Sequence, residues 1–441
     1  MNGFAFFSGG APQAATPAEP RIRRFESRRR VCAIACVLTI GAVLAGCQTA
    51  MRPIAPPLPP LPRPLEAPMV MTPPPPPPPP ARVDQPNFYR LRNTAADAVP
   101  ARVALLLPLS SPSAEIRSVA EALERAAELA VFDSKAGEIL LMPRDDGGTP
   151  EKAAAAAAKA INDGAEIIIG PLFAQSVSAV APIARARHVP VIALSSDRSV
   201  GGNGVYLLSF QPETEVNRIV SYAPKTGHSA FAALVPKPAY GDKVTTAFRD
   251  SVMRAGGRIA TIQSFEEKAE LVGTPARNAA QSGADSILIG EGGAMLQGIA
   301  PALAIGGAAT RGVKLLGTGL WDDPSVSQEP LLADGWFAAP PPASFRAFAE
   351  HYRTAYNAQP PRIATLGYDA ISLVALLSRG QPFERFTDAI LTDPNGFSGV
   401  DGIFRFRNDG SAERGLAILE VSPNGFAVVD PAPRSFPQAG F

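Results

Sequence analysis

The residues best suited to chemistry are three cysteines and three histidines. Cys32, Cys36 and Cys47 all precede residue 50, so the rest of the chain has no thiol for a disulfide, a metal site or a nucleophile. The histidines, at positions 188, 228 and 351, are scattered and lack the spacing of metal ligands. The sequence also lacks a Gly-x-Ser-x-Gly turn, a complete dinucleotide-binding fingerprint and a phosphate-binding loop. We therefore expect neither enzymatic activity nor a cofactor or metal.

Cys47 has flanking residues that predict attachment of lipid to its thiol. Six arginines between residues 21 and 30 precede an apolar run at 31–44. That run has the length of a signal-peptide core and is shorter than the ~20 residues of a membrane-spanning helix. Leu44-Ala-Gly-Cys47 then matches the lipobox, in which the cysteine thiol takes a diacylglycerol. Residues 1–46 are therefore predicted to be a lipoprotein signal peptide, with an uncleaved anchor as the alternative.

The residues after Cys47 predict which membrane holds the lipid anchor and what kind of segment follows it. Gln48 stands where inner-membrane lipoproteins of enteric bacteria carry an aspartate, which favours the outer membrane. Residues 47–100 form a proline-rich segment with eight consecutive prolines at 73–80. Proline disfavours helices and sheets and favours polyproline II, so its ~34 most proline-rich residues would reach about 100 Å at ~3.1 Å per residue. We predict a disordered or polyproline II linker, either a flexible tether or a stalk that lifts the body off the membrane.

Short apolar strands alternate with helices after residue 101. The first run has predicted strands at 102–109, 139–143, 166–170 and 189–194, and helices at 113–135, 150–163 and 176–188. The second run has strands at 230–235, 258–265, 286–290 and 314–317, and helices at 242–255 and 274–281. This alternation predicts the α/β class, with two lobes that each contain a doubly wound parallel sheet. The 41 basic and 40 acidic residues nearly cancel, so no nucleic-acid partner is expected.

Four places in the chain resemble type 1 periplasmic binding proteins of the leucine-binding class. They are residues 103–109, residues 168–172 with 189–195, Tyr240-Gly241, and residues 397–406 with Asp409-Gly410. The resemblance implies a bilobed body in which the chain crosses between the lobes three times. It places lobe 1 at about 101–218 and 340–398, lobe 2 at about 219–339 and 399–430, and a tail at 431–441.

Within that class, the sequence resembles the C-terminal domain of the LpoA family of penicillin-binding-protein activators. The similar motifs are Ile169-Gly-Pro-Leu172, Ser209-Phe-Gln-Pro-Glu213, Val235-Pro-Lys-Pro-Ala-Tyr-Gly-Asp242 and Leu366-Gly-Tyr-Asp-Ala370. The family consists of outer-membrane lipoproteins that reach through the cell wall to stimulate a peptidoglycan synthase. This chain departs from the family because the proline-rich segment stands where their N-terminal helical-repeat domain would be. Any contacts made by that domain are therefore in doubt here.

The ends of the predicted strands supply a candidate ligand cleft, because ligands of open α/β sheets bind at the carboxyl ends of the strands. The candidate residues are Ser176, Ser195, Ser196, Asp197, Tyr240, Trp321 and Asp322. The resemblance implies that the serine hydroxyls bind the carboxylate of an amino-acid-like ligand and that one aspartate binds its amine. Tyr240 or Trp321 would then close the cleft. The alternative is an empty cleft, since Asp197 would repel the ligand carboxylate.

Two functions follow from these patterns. The first is a non-catalytic regulator in the periplasm, anchored to the outer membrane, that activates a bifunctional penicillin-binding protein in peptidoglycan synthesis. The second is a lipid-tethered solute-binding protein that delivers an amino acid to an ABC permease. The long proline-rich segment favours the first, because a receptor that starts from the inner membrane has no evident need of such reach.

Overall fold

The computed structural model describes residues 88–91, 99–135, 139–237, 239–382 and 384–436. These residues form two α/β lobes, and the predicted fold class is confirmed. The predicted signal peptide, Cys47 and most of the proline-rich linker lie outside the described residues. Within the described ranges, no helix is both long enough and apolar enough to cross a membrane.

Lobe 1 starts with a run of alternating strands and helices. They are β1 (Ala101–Leu107), α1 (Ala114–Ser134), β2 (Ile139–Asp145), α2 (Pro150–Asn162), β3 (Ile167–Ile169), α3 (Ala174–Arg185), β4 (Val191–Ala193) and β5 (Val205–Leu207). The strands pair in parallel in the order β2-β1-β3-β4-β5. Helices cover both faces of this sheet, so β1 is buried along its whole length and its sequence is an almost continuous apolar run.

Local sequence signals position the first two helices. The Ser113 hydroxyl accepts a hydrogen bond from the Ile116 backbone N–H at 3.3 Å, and α1 ends at Lys135, whose φ is +50°. Thr149 caps α2 in the same way, and Pro150 occupies its first turn, where a missing N–H costs nothing. The starts of both helices therefore lie just after the carboxyl ends of β1 and β2.

Lobe 2 repeats the same pattern around a second sheet. Its elements are α4 (Pro212–Tyr222), β6 (Ala230–Pro236), α5 (Ala239–Arg254), β7 (Arg258–Phe265), α6 (Gly273–Gln281), β8 (Ser286–Ile289), α7 (Leu296–Ile305), β9 (Lys314–Gly317) and β10 (Trp336–Ala339). The chain then returns to lobe 1 as α8 (Pro342–Tyr356), α9 (Ala364–Leu377), α10 (Asp388–Leu391), β11 (Phe397–Gly399), β12 (Gly402–Phe406) and β13 (Ala412–Arg414). It ends in lobe 2 as β14 (Ala417–Ser422) and β15 (Gly425–Asp430).

The sheet of lobe 2 has the order β15-β14-β10-β9-β8-β6-β7. The strands from β10 to β7 are parallel, whereas β14 and β15 join its edge in antiparallel orientation, which differs from the predicted all-parallel sheet. Strands β11, β12 and β13 form a separate antiparallel sheet.

The crossovers between the lobes differ from the predicted boundaries at 218 and 398. Helix α4 packs into the core of lobe 2 through Val216, Ile219 and Val220, so the first crossover precedes it, at 208–211. Strand β12 packs into the core of lobe 1 through Phe404 and Phe406, so the third crossover follows β13, at 415–416. The apolar faces of α4 and β12 therefore decide these boundaries, so the first crossover lies before the predicted boundary at 218 and the third lies well after the one at 398.

The described end of the proline-rich segment pairs with the edge of lobe 1. Tyr89 and Leu141 of β2 exchange two backbone hydrogen bonds, at 2.9 and 3.0 Å. The Arg144 guanidinium lies over the Phe88 ring at 4.9 Å. This pairing covers part of an edge strand that would otherwise present free N–H and C=O groups. The chain therefore joins the body at the β2 edge.

Candidate functional site

The three predicted serines lie near the carboxyl ends of β3 and β4, but they differ in accessibility. Ser176 lies in the first turn of α3 and is fully buried. Ser195 is also buried, and its hydroxyl oxygen accepts a hydrogen bond from the Asp197 backbone N–H at 3.2 Å. Ser196 is exposed. Of the hydroxyls predicted to bind a ligand carboxylate, only that of Ser196 is therefore open to solvent in this structure.

Asp197 forms an ion pair with the opposite lobe. One of its carboxylate oxygens lies 3.3 Å from Nζ of Lys243, which belongs to α5 of lobe 2. The other accepts hydrogen bonds from the backbone N–H and the hydroxyl of Ser199, at 3.0 and 2.7 Å. The bonds from Ser199, together with the charge of Lys243, lower the pKa of Asp197. Asp197 is thus ionised and already has a cationic partner.

Tyr240 lies within lobe 2 at the start of α5. Its hydroxyl is 3.1 Å from the hydroxyl of Thr318, and burial raises its pKa above the ordinary value. The neighbouring position 241 requires glycine, because a Cβ there would overlap the carbonyl oxygen of Pro236. The Tyr-Gly pair therefore lets α5 begin directly against the end of β6, and Tyr240 is partly buried there.

Trp321 is part of the core of lobe 2. Its side chain has 0% exposed surface, and its indole N–H donates to the backbone carbonyl of Glu291 at 3.0 Å. Gly317 and Gly335 leave room for the ring, since a Cβ at either position would overlap it. Trp321 was predicted to close over a ligand, but in this structure it offers a ligand no surface, because the indole packs against the sheet.

Asp322, the next residue, forms the second ion pair between the lobes. Its carboxylate accepts a hydrogen bond from Nε of Arg362 at 2.8 Å. Arg362 lies just before α9 of lobe 1 and also donates from Nη1 to the fully buried Asp401 at 2.5 Å. Burial raises the pKa of Asp322, while the charge of Arg362 opposes that increase. The carboxylate is therefore held by a cation of the protein itself.

Aromatic rings of the crossover region hold Arg362 in position. Its guanidinium carbon lies 4.4 Å from the ring centroid of Phe345 and 5.4 Å from that of Phe210. Phe210 lies in the first crossover, and Phe345 belongs to α8, directly after the second. The guanidinium carbon of Arg414, in β13, also lies 5.1 Å from the ring centroid of Phe210. Two arginines therefore stack on one crossover residue.

Two further buried carboxyl groups lie close to Arg414 in this region. Glu215 of α4 accepts a hydrogen bond from the Gly319 backbone N–H at 2.8 Å, and burial raises its pKa to about 7. Asp369 of α9 accepts from the Val400 backbone N–H at 2.7 Å, and burial raises its pKa to about 7, an increase to which Asp401 adds. We call Arg362, Asp322, Asp401, Arg414, Glu215 and Asp369 the hinge cluster. It is a charged structural core at the base of the cleft.

The two ion pairs between the lobes differ in exposure. We call Asp197–Lys243 the outer pair, with side chains 33% and 30% exposed, and Asp322–Arg362 the inner pair, with side chains 14% and 20% exposed. Both carboxylates were predicted from their positions after strands. Their cationic partners, Lys243 and Arg362, were not among the residues predicted from the sequence. Lys243 lies three residues after Tyr240 on the same helix, which was a usable signal, whereas Arg362 follows Pro360-Pro361 and belongs to no motif.

A separate cavity of about 290 Å³ lies in lobe 2 at the amino end of β9. Its lining includes Ala300, Leu303, Lys314 and Leu315. It is at the opposite end of the strand from Asp322, so the rule that ligands bind at carboxyl ends does not apply to it. In the part of the chain that the structure describes, no group of histidine, cysteine and acidic side chains is arranged to hold a metal ion.

Two similar α/β lobes and three crossovers between them are the architecture of the periplasmic binding protein fold. The sequence profile of the periplasmic binding protein family matches residues 100–426. Since that match covers most of the chain, this protein belongs to the periplasmic binding protein family.

Curated relatives include a group of activators. The penicillin-binding protein activator LpoA of Klebsiella pneumoniae is 29% identical over 154 residues, which are 35% of this chain and 20% of that protein. LpoA of an Enterobacter species is 27% identical over 166 residues, 37% of this chain and 21% of that protein. An uncharacterised protein of Rickettsia prowazekii is 22% identical over 133 residues, 30% of this chain and 36% of that protein. The chain therefore spans only about a fifth of the activators that it matches.

Solved structures share the fold at low identity. A putative branched-chain amino acid ABC transporter protein from Rhodospirillum rubrum superposes with a TM-score of 0.68 and 18% identity over 75% of this chain and 100% of that chain. A periplasmic ligand-binding protein from Burkholderia xenovorans gives a TM-score of 0.64 and 19% identity over 75% of this chain and 95% of that chain. These likenesses concern the fold, and the resemblance to the leucine-binding class is confirmed.

Proposed function

We propose that this protein is a non-catalytic periplasmic regulator that activates a bifunctional penicillin-binding protein in peptidoglycan synthesis. The observation that carries the proposal is the state of the cleft. Asp197 and Asp322, the carboxylates predicted to bind a ligand amine, each form an ion pair with a basic residue of the opposite lobe. A solute amine would have to displace Lys243 or Arg362, so the geometry favours contact with a protein over capture of an amino acid.

The relatives support the class of partner. Proteins named as penicillin-binding protein activators align with about a third of this chain. The sequence has no Gly-x-Ser-x-Gly turn, no complete dinucleotide-binding fingerprint and no phosphate-binding loop. We therefore expect activation to depend on binding to a synthase and to involve no chemistry in the cleft.

The predicted anchor and spacer supply the reach that such a regulator needs. Lipid on Cys47 would hold the chain at the outer membrane, and its two or three acyl chains exceed the requirement for stable anchoring. The proline-rich linker would span about 100 Å before the chain joins the β2 edge at Tyr89. A synthase in the inner membrane would then lie within reach of the body.

The direct test measures synthase binding and activity. The lipidated protein in detergent is mixed with each bifunctional penicillin-binding protein of its own organism, and glycan polymerisation and peptide cross-linking are measured. We expect binding with a dissociation constant on the order of 1 μM or tighter and an increased output of one of the two reactions. Absence of binding to every synthase at that concentration would refute the proposal.

A thermal-shift screen with the proteinogenic amino acids tests the solute-binding alternative. A ligand present at 100 times its dissociation constant stabilises a folded protein by about 2.7 kcal/mol, so a true binder is easily detected. We expect no shift with any amino acid. A concentration-dependent increase in melting temperature for one of them would favour a receptor that serves an ABC permease.

Replacing Cys47 by alanine distinguishes activation of the synthase from the need for a membrane anchor. In detergent solution, the Cys47→Ala protein should still stimulate the synthase, because both partners diffuse freely. In cells, the same variant should fail to replace the wild-type protein, because it is no longer anchored. Full activity of Cys47→Ala in cells would show that reach from the membrane is not needed.

A further inference from the structure

The cleft is crossed by two ion pairs that belong to the chain itself. The outer pair joins the end of β4 in lobe 1 to α5 in lobe 2 at 3.3 Å, and the inner pair joins the segment before α9 to the end of β9 at 2.8 Å. Both pairs therefore connect the lobes directly. Each uses a carboxylate that follows a strand of one lobe and a cation that lies on a different element of the other.

These pairs take the place that a ligand has in hinge-bending binding proteins. In such proteins the two lobes close around a bound molecule, which supplies the contacts between them. Here the Lys243 ammonium contacts Asp197 and the Arg362 guanidinium contacts Asp322, so the chain itself supplies contacts between the lobes. Arg362 of the inner pair is also held within lobe 1, because it donates a hydrogen bond to Asp401 and stacks on the ring of Phe345.

We propose that the outer and inner pairs form an intramolecular latch that holds the two lobes closed in the absence of a solute. The inner pair keeps the hinge region rigid, and the outer pair restrains the free ends of the lobes. This inference concerns the conformation of the body and does not depend on the proposed synthase partner. The protein thus differs from a receptor, in which an empty cleft opens.

The two pairs contribute unequally to the closed state. Asp197 and Lys243 are about one-third exposed, and exposed pairs contribute about 0–1 kcal/mol and are screened by salt. Loss of the outer pair should therefore decrease the ratio of closed to open molecules by at most about fivefold. Loss of both pairs should shift most molecules to the open form.

The test measures the distance between the lobes. Glu151 at the start of α2 and Glu267 after β7 are exposed residues near strand ends of opposite lobes, and each is replaced by cysteine for a spin label. The mature chain from residue 47 is used, with Cys47, its only native cysteine, replaced by serine. Distance distributions are recorded for the parent protein and for Lys243→Met, Asp197→Asn and the double variant Lys243→Met with Asp322→Asn.

The substitutions are chosen to preserve the fold. Asn at 197 keeps an oxygen for Ser199, and Asn at 322 removes the negative charge that attracts Arg362, which retains Asp401 as its charged partner. Arg198→Met is the matched control, because Arg198 forms an exposed ion pair with Asp409 inside lobe 1, at 3.5 Å. Circular dichroism confirms that each variant is folded.

For the parent protein without solute, we expect a single narrow distribution of short distances between the two spin labels. Addition of an amino-acid mixture should not change that distribution. Lys243→Met and Asp197→Asn should each add a longer distance, as should 1 M NaCl, and the double variant should shift most of the distribution. Arg198→Met should match the parent. An unchanged distribution in the double variant would overturn the latch, as would a parent protein that is open until an amino acid is added.

Discussion

The hinge cluster and the outer pair both join charged residues across the cleft, but they do so in different surroundings. Arg362 of the hinge cluster bonds two carboxylates, and one of them, Asp401, is fully buried. Asp197 and Lys243 of the outer pair keep about a third of their side-chain surface in solvent. The same kind of ion pair is therefore a fixed part of the core in one place and an adjustable surface contact in the other.

The difference shows how burial determines the role of an ion pair. Removal of one partner of a buried pair leaves an uncompensated charge in a medium of low dielectric, which typically costs about 3–5 kcal/mol. Removal of one partner of an exposed pair typically costs about 0–1 kcal/mol, because water replaces the lost contact. We therefore expect the hinge cluster to determine stability and the outer pair to determine the population of closed molecules.

Arg362→Met should have the largest effect on stability. Asp401 would remain fully buried and would lose the guanidinium that bonds it directly, keeping only the Thr365 hydroxyl and the charge of Arg414, so the free energy of unfolding in urea should fall by up to about 3–5 kcal/mol. The stacking on Phe345 and Phe210 would also be lost. Arg353→Met is the control, because Arg353 pairs with Glu350 on the surface of α8, and it should leave unfolding unchanged. A loss below about 1 kcal/mol for Arg362→Met would mean that the hinge cluster tolerates an unpaired carboxylate.

Glu215→Gln should change how stability depends on pH. Burial raises the pKa of Glu215 to about 7 in the folded protein, above the ordinary value of 4.5. Between those two pH values the folded protein binds a proton that the unfolded chain releases, so stability decreases as pH rises through this window. The decrease should amount to at most about 3 kcal/mol, and Gln, which does not ionise, should remove it.

The measurement is the melting temperature between pH 5 and pH 8. We expect the wild-type value to fall across this range and the Glu215→Gln value to fall less, with some decrease remaining because Asp369 has the same raised pKa. Glu270→Gln, an exposed substitution in lobe 2, should follow the wild-type curve. Equal slopes for Glu215→Gln and wild type would show that Glu215 ionises without cost.

Lys243→Met should have the smallest effect on unfolding. Because the outer pair is partly exposed, the change in unfolding free energy should stay below about 1 kcal/mol and should disappear in high salt. The measurement is urea unfolding at low and high NaCl concentration. A loss comparable to that of Arg362→Met would remove the distinction between the two regions.

Part of the candidate site was predictable from the sequence. Asp197 and Asp322 follow buried strands, and the rule that strand ends face the cleft located both. The rule says nothing about how far each side chain is exposed, so Ser176 and Trp321 were included although both are buried. Ser176 lies in the first turn of α3, and Trp321 lies in the turn after β9. Whether such a side chain is buried depends on how the segment after the strand packs, which the sequence pattern does not show.

The sequence by itself determined the α/β class and two lobes, because strand and helix periodicities are local and each segment buries its own apolar face. Only the tertiary structure paired Asp197 with Lys243, 46 positions along the chain, and Asp322 with Arg362, 40 positions along. Those pairs depend on the angle between two separately folded lobes and on crossovers at 208–211 and 415–416. Contacts between distant segments leave no periodic pattern in the sequence, so the two ion pairs between the lobes are evident only from the tertiary structure.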